Sequence, residues 1–276
     1  MLPGYGMAKY HFLQNNKMKN RTRFTTICAL ITLAALSVGF AVEKPVLYII
    51  GDSTVRNEDS LGHRGWGSHI VKYLDTNKIS VSNQAMAGRS TRTFIKEGRW
   101  TKVLSTLKSG DYVMMQFGHN EGSRPDTGRA GYRGVLRGIG EDSVVLTWRD
   151  SSKEIVHSYG WYIRKFIRDV KAKGATPIVL SMIPRNEFRD GKVQRADKDY
   201  GLWAKQVAEE EGAFFVDLNA ITADKYDKFG PEETKKFFPG DHTHTNPAGA
   251  DVNAQSVVEG VRANKAIPLN KYLLNQ

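Results

Sequence analysis

Cysteine is nearly absent: the 276-residue chain has one, Cys28. Residues 42–276 contain none, which excludes disulfides, thiol catalysis and cysteine-bound metal from any domain built on them. Acidic residues are missing before Glu43, whereas Lys17, Lys19, Arg21 and Arg23 stand in that stretch. No low-complexity tract, internal repeat or linker interrupts the sequence, so a repeat array or a mainly disordered chain is excluded. Clusters of Lys and Arg interleaved with aromatics are lacking too, and a nucleic-acid surface is not indicated. Long apolar runs are limited to Ile27–Val38, which is short for a bilayer span.

That run follows the basic residues and closes on Gly39-Phe40-Ala41, with small residues at the −3 and −1 positions of a cut after Ala41. This is the layout of a secretory signal peptide, with an uncleaved anchor as the alternative. Residues 1–41 are therefore expected to be a leader that exports the protein to the periplasm or the outside. Residues 42–276 are expected to form a single domain with no stable membrane association once the leader is removed. Five of the 40 basic residues and none of the 29 acidic ones fall in the leader, leaving an excess of six positive charges. Such a balance suits a polyanionic substrate or simply a solvated basic surface.

What is present is alternation. Val46–Ile50, Ile79–Asn83, Tyr112–Phe117, Pro177–Ile183 and Ala213–Asp217 are short apolar, β-rich runs that read as strands. Between them, apolar residues recur at helical spacing: Trp66, Ile70, Val71 and Leu74; Trp100, Val103, Leu104 and Leu107; Tyr159 to Val170; and a segment around Trp203 and Val207. Pro247 opens a last helix, where its missing N–H costs nothing. Residues 118–140 carry seven glycines and four arginines, and read as a loop insertion near the mouth of an active site, followed by a short strand at Ser143–Trp148. Strand–helix alternation predicts an α/β domain with a five-stranded parallel sheet covered on both faces, whose ligands bind beyond the strands' carboxyl ends.

Polar motifs follow those strand ends. Ser53 lies in Gly51-Asp52-Ser53-Thr54, just after the first strand, where Gly51 allows a sharp turn. Near the other end, Asp241-His242-Thr243-His244 offers a base and the carboxylate that would fix its tautomer. Asp241, His242 and His244, with His119 from elsewhere, are also conceivable metal ligands, and a purely structural loop is a third reading. Gly88 follows the second strand and Asn120 the third. With Ser53 as nucleophile, the Ser53 and Gly88 backbone N–H groups and the Asn120 amide would supply three oxyanion donors. Taken singly, each of these residues reads as turn composition.

Together, in that order, they resemble the SGNH hydrolases, the GDSL-like esterases named for the Ser, Gly, Asn and His that correspond here to Ser53, Gly88, Asn120 and His244. Within that superfamily the chain resembles the rhamnogalacturonan acetylesterases, carbohydrate esterase family twelve. Gly51-Asp52-Ser53-Thr54-Val55 looks like that branch's first block, Ala87-Gly88-Arg89-Ser90-Thr91 with Gly98-Arg99-Trp100 like its second, and Asp241-His242-Thr243-His244 like its last. One departure is Glu121, where family members commonly have Asp after the Gly-His-Asn. The resemblance implies a single flavodoxin-like three-layer domain, no metal or other cofactor, and removal of acetyl groups from pectic polysaccharide. Trp66 as a sugar platform and Arg89 as a partner for a galacturonate carboxylate are the candidate substrate contacts, each weighed against a structural role. Rival expectations are an acetylesterase for xylan or another glycan, a lipase or thioesterase, and a non-catalytic carbohydrate-binding module.

Overall fold

The computed structural model of the chain describes residues 43–275, apart from positions 57 and 130. The expected leader, including Cys28 and the apolar run, lies outside the described residues.

Five parallel strands make the central sheet: β1 (Val46–Gly51), β2 (Ser80–Asn83), β3 (Tyr112–Gln116), β6 (Thr176–Leu180) and β9 (Phe214–Val216), in the order β2-β1-β3-β6-β9. All five strands expected from the sequence are there. Successive residues of β1 and β3 leave opposite faces of the sheet and enter two separate cores. Leu47, Ile49 and Met114 join Trp66, Ile70 and the apolar side of helix α6 (Pro247–Ala263). Tyr48, Ile50, Val113 and Met115 meet α2 (Arg99–Thr106), α3 (Tyr159–Ala172) and α4 (Tyr200–Glu210). Two packed faces explain why these strands are apolar throughout rather than alternating. The outcome is the three-layer α/β domain that the alternation predicts.

Helix starts are fixed by local chemistry. Ser90 caps α1 (Thr91–Lys96) in a capping box with Thr93, and Ser158 caps α3 by accepting from the Trp161 N–H. Asn246 accepts from the Gly249 N–H at 3.0 Å, with Pro247 at the first helical position of α6.

Two segments differ from the sequence expectation, and a third, the short strand expected at Ser143–Trp148, is present and gains an antiparallel partner. Trp66–Leu74 is not one helix but two short 3-10 turns, Trp66–Ser68 and Ile70–Tyr73. Its start is tied to the strand-end loop by Gly65 N–H to the Arg56 carbonyl and Trp66 N–H to the Thr54 carbonyl, and Leu74 is drawn into an extended bridge with Leu273. These tertiary ties override the helical spacing. Ser143–Trp148 is one arm of a hairpin, β4 (Ser143–Thr147) with β5 (Lys153–His157), antiparallel and apart from the main sheet. Helix α5 (Leu218–Lys235) carries no continuous helical pattern in the sequence, because the Gly230-Pro231 step breaks its pattern and its backbone. A small hairpin of β7 (Phe188–Arg189) and β8 (Lys192–Val193) completes the elements.

Candidate active site

The carboxyl ends of β2, β1 and β3 lie side by side, and each leads into one of the expected motifs. Gly51 closes β1 because the chain passes its neighbours too closely for a side chain: a Cβ there would lie 2.6 Å from the Gln116 carbonyl and 2.7 Å from Val55 Cγ2. The next residues curl tightly, with the Val55 and Arg56 N–H groups both donating to the Asp52 carbonyl. Beneath this turn Asp52 is fully buried, and its Oδ1 accepts from the Thr54 N–H (2.8 Å) and hydroxyl (2.7 Å). Thr54 in turn accepts from Gln116, which accepts from the Trp66 indole at 2.8 Å. A buried polar chain thus holds the turn that presents Ser53.

Ser53 meets the loop before α6. His244 Nε2 lies 2.8 Å from Ser53 Oγ, and His244 Nδ1 lies 2.7 Å from Asp241 Oδ2. Asp241 Oδ1 accepts from the Thr243 N–H at 2.6 Å and the His244 N–H at 2.8 Å. Partial burial works to raise the Asp241 carboxyl, but the hydrogen bonds from the His244 ring and from the two N–H groups outweigh it and bring it down to about 2. The ionised carboxylate therefore keeps the proton of His244 on Nδ1 and leaves Nε2 as the acceptor facing Ser53. His242 turns away, its Nε2 lying 3.5 Å from Glu187, so the tetrapeptide's three side chains do not converge on a point as metal ligands would.

Gly88 sits at φ +73°, in left-handed backbone that favours glycine. Among the described residues no carbonyl takes the Ser53 or the Gly88 N–H. Asn120 lies beside this turn: its Nδ2 donates to the Arg89 carbonyl at 3.1 Å, and its Oδ1 accepts from Arg133 at 2.7 Å. Arg133 thereby fixes which end of the amide is the donor. Glu121 is fully buried and clasps both loops, Oε1 accepting from the Thr91 N–H (2.8 Å) and Oε2 from the Asn120 N–H (2.9 Å). Burial pushes its carboxyl up to about 8, against the pull of those N–H groups and with the charge of Asp52 adding to the rise. His119 is also enclosed, and burial holds its imidazole below the usual range although Asp52 pulls the other way.

The profile of the GDSL-like lipase/acylhydrolase family matches residues 49–252 of the chain. This chain belongs to that family. Within the GDSL-like family it falls in the rhamnogalacturonan acetylesterase-like branch and is a carboxylic ester hydrolase. It is 31% identical to the rhamnogalacturonan acetylesterase of Emericella nidulans, over 84% of this chain and 90% of that one. It is 27% identical to the probable rhamnogalacturonan acetylesterase YesY of Bacillus subtilis, over 83% and 98%. The crystal structure of the Bacillus subtilis protein YxiM superposes with a TM-score of 0.66 at 27% identity, covering 82% of this chain and 58% of that longer one. Axe2, an acetylxylan esterase from Geobacillus stearothermophilus, shares the fold at a TM-score of 0.54 and 18% identity, over 79% and 94%.

Two expectations about substrate contact fare differently in this GDSL-like site. Trp66 is 0% exposed, packed in the core with its indole N–H bound to Gln116, so no sugar can stack on it. Its part is to support the Ser53 turn from below. Arg89 does lie beside Gly88, but its guanidinium is engaged by Glu97 (2.9 Å) and by the Ala87 carbonyl (2.9 Å), the structural ion pair that was its alternative role.

Two other residues of the site carry no sequence signal. His63 stacks on His244 with ring centroids 5.0 Å apart, and its Nδ1 lies 3.2 Å from Asp59. Arg92 on α1 is 1% exposed, pairs with Glu154 through two hydrogen bonds (2.8 and 2.9 Å), and donates to the carbonyls of Asp126, Gly131 and Gly134. It pins the Gly/Arg-rich loop, from which Arg133 reaches Asn120. Lone basic residues in a basic chain cannot be singled out by pattern.

Proposed function

We propose that this chain, a carbohydrate acetylesterase, removes acetyl groups from pectic polysaccharide through an acetyl-serine intermediate. The observation that carries the reading is the unbroken relay from Ser53 Oγ to His244 to Asp241, at 2.8 and 2.7 Å. Ser53 attacks the acetyl carbonyl as its proton passes to His244 Nε2, and the Asp241 carboxylate steadies the resulting imidazolium. The carbonyl oxygen, now negative, is held by the Ser53 and Gly88 N–H groups and by Asn120 Nδ2. His244 gives its proton to the departing sugar oxygen, leaving acetyl on Ser53. Water then loses a proton to Nε2 as it attacks the acetyl carbon, and that proton returns to Ser53 Oγ as acetate leaves.

The pectic substrate is supported by the two similar proteins named as rhamnogalacturonan acetylesterases and by the mature chain's positive balance. Export is part of the same reading, supported by the basic, then apolar, then small-residue layout of positions 17–41. The experiment is acetate release from acetylated rhamnogalacturonan and acetylated xylan side by side, with wild type and Ser53→Ala. The wild type is expected to prefer the pectic polymer, and Ser53→Ala to lose roughly 10⁴-fold or more in rate with unchanged melting. Near-normal activity in Ser53→Ala would overturn the mechanism, and a preference for xylan would overturn the substrate.

A further inference from the structure

A cavity of about 260 Å³ lies next to the candidate active site, walled by His119 after β3, by Met182 and Arg185 after β6, and by Arg195, Asp199 and Tyr200 leading into and opening α4. Its lining is unusual in chemistry rather than in size. Tyr200 is 5% exposed, and its hydroxyl is buried with no hydrogen-bond partner. Both ring nitrogens of His119, Oδ1 of Asp199 and Nε of Arg185 are buried without partners as well. Buried polar atoms are nearly always paired, so four residues around one space that each leave an atom unpaired point to a polar occupant.

The charges narrow its class. Arg195, on the same wall, is neutralised by Asp224 and Asp227. Arg185 is not: its nearest carboxylate, Glu187, stands 4.0 Å away, and its other contact is the His119 carbonyl at 3.4 Å. A weakly paired guanidinium with a free Nε matches a carboxylate. Asp199 Oδ1 can only accept when ionised, and the Tyr200 hydroxyl can do either, which suits sugar hydroxyls. An occupant with one carboxylate and several hydroxyls is a sugar acid.

The place fits a polymer. Gly88, Ser53 and Asn120 follow β2, β1 and β3, and β6 is the next strand along the same edge. With strands about 4.8 Å apart, the cavity wall after β6 stands roughly 10 Å from the end of β1. The wall is also joined to the Asp241–His244 loop, since the Asn186 N–H donates to the His242 carbonyl at 2.8 Å. We propose that this cavity is a subsite for a uronate unit next to the acetylated sugar, with Arg185 holding its carboxylate and Asp199 and Tyr200 taking its hydroxyls.

The proposal rests on the glycan-esterase reading, but its test does not need turnover. Trigalacturonate and neutral xylotriose are titrated calorimetrically against the Ser53→Ala chain with and without Arg185→Gln, Arg185→Lys or Tyr200→Phe. Trigalacturonate is expected to bind, to weaken at least tenfold in Arg185→Gln, to recover in part in Arg185→Lys, and to weaken less in Tyr200→Phe. Xylotriose affinity should not follow the Arg185 series. Equal trigalacturonate binding with and without Arg185→Gln, in chains of equal melting temperature, overturns the subsite, as does a parallel loss for both sugars. Should the wild type prefer acetylated xylan while trigalacturonate still binds through Arg185, the substrate reading fails and the subsite stands.

Discussion

Ser53, His244 and Asp241 stand in hydrogen-bonding register before any substrate arrives, but a relay of this kind needs its rings and amides held from outside. His63 does this for His244 by stacking, itself anchored through Asp59. Removing the stack in His63→Ala is expected to lower kcat roughly two- to tenfold, the worth of one ring pair. His63→Phe should restore most of it, and steady-state rates of the two variants check this. Arg133 does the same for Asn120: with Oδ1 already bound, the amide presents Nδ2, which donates to the Arg89 carbonyl and is the proposed oxyanion donor. Asn120→Ala is expected to cost roughly 10²–10³ in kcat. Arg133→Leu should cost roughly tenfold, the scale of one charge-assisted bond, with KM for a small aryl acetate little changed. The central residues were legible in the sequence because Ser53, Asp241 and His244 sit in short motifs beside strand ends and a helix start. Their supports were not, because His63 and Arg133 act across folds of the chain that no local spacing records. Trp66 stood between a sugar platform and a structural role for the converse reason: its position by a glycine-flanked turn does not say which way the indole faces.

At the scale of elements, the five strands were readable because burial on both faces makes each a continuous apolar run ended by glycine or a polar residue. Helix α5 has no continuous pattern because Gly230-Pro231 interrupts it, and β5 (Lys-Glu-Ile-Val-His) is half exposed with only two apolar residues, whereas its hairpin partner β4 falls within the short strand read at Ser143–Trp148. That hairpin is nevertheless part of the site's support. Glu154 on β5 pairs with Arg92 and Lys96 on α1, and α1 starts two residues after Arg89. Desolvation alone would raise the Glu154 carboxyl, but those two cations hold it down at about 2. Arg92→Met leaves Glu154 without its bidentate partner and strips three loop carbonyls of theirs. It is expected to destabilise the domain by roughly 3 kcal/mol, the lower end for breaking a buried pair because Lys96 remains. Urea unfolding measures this, and limited proteolysis should cut the variant first within residues 122–140.

For the whole molecule, two carboxyls of the site give stability opposite dependences on pH. Asp241 is lowered to about 2 in the folded chain, so its contribution is present above the ordinary aspartate value of 3.8 and is lost as pH falls through about 2. Glu121 is raised from 4.5 to about 8, so the folded chain keeps a proton that the unfolded chain releases. Its contribution is therefore complete below about 4.5 and is lost as pH rises through about 8. Burial under the two oxyanion loops thus makes the fold less stable toward neutral pH than its other groups alone would. Glu121→Gln keeps the size and one acceptor but cannot ionise. Its unfolding free energy should fall less steeply than that of the wild type between pH 5 and 8, while both drop alike in stronger acid where Asp241 is protonated. Because Gln offers only one oxygen to the Thr91 and Asn120 N–H groups, kcat should fall as well, with KM for a small acetate ester nearly constant. Melts across pH 3–9, run on both proteins beside kcat and KM, separate the outcomes: parallel stability curves would mean that Glu121 is ionised in the fold, and an unchanged kcat would mean that it does not hold the oxyanion loops.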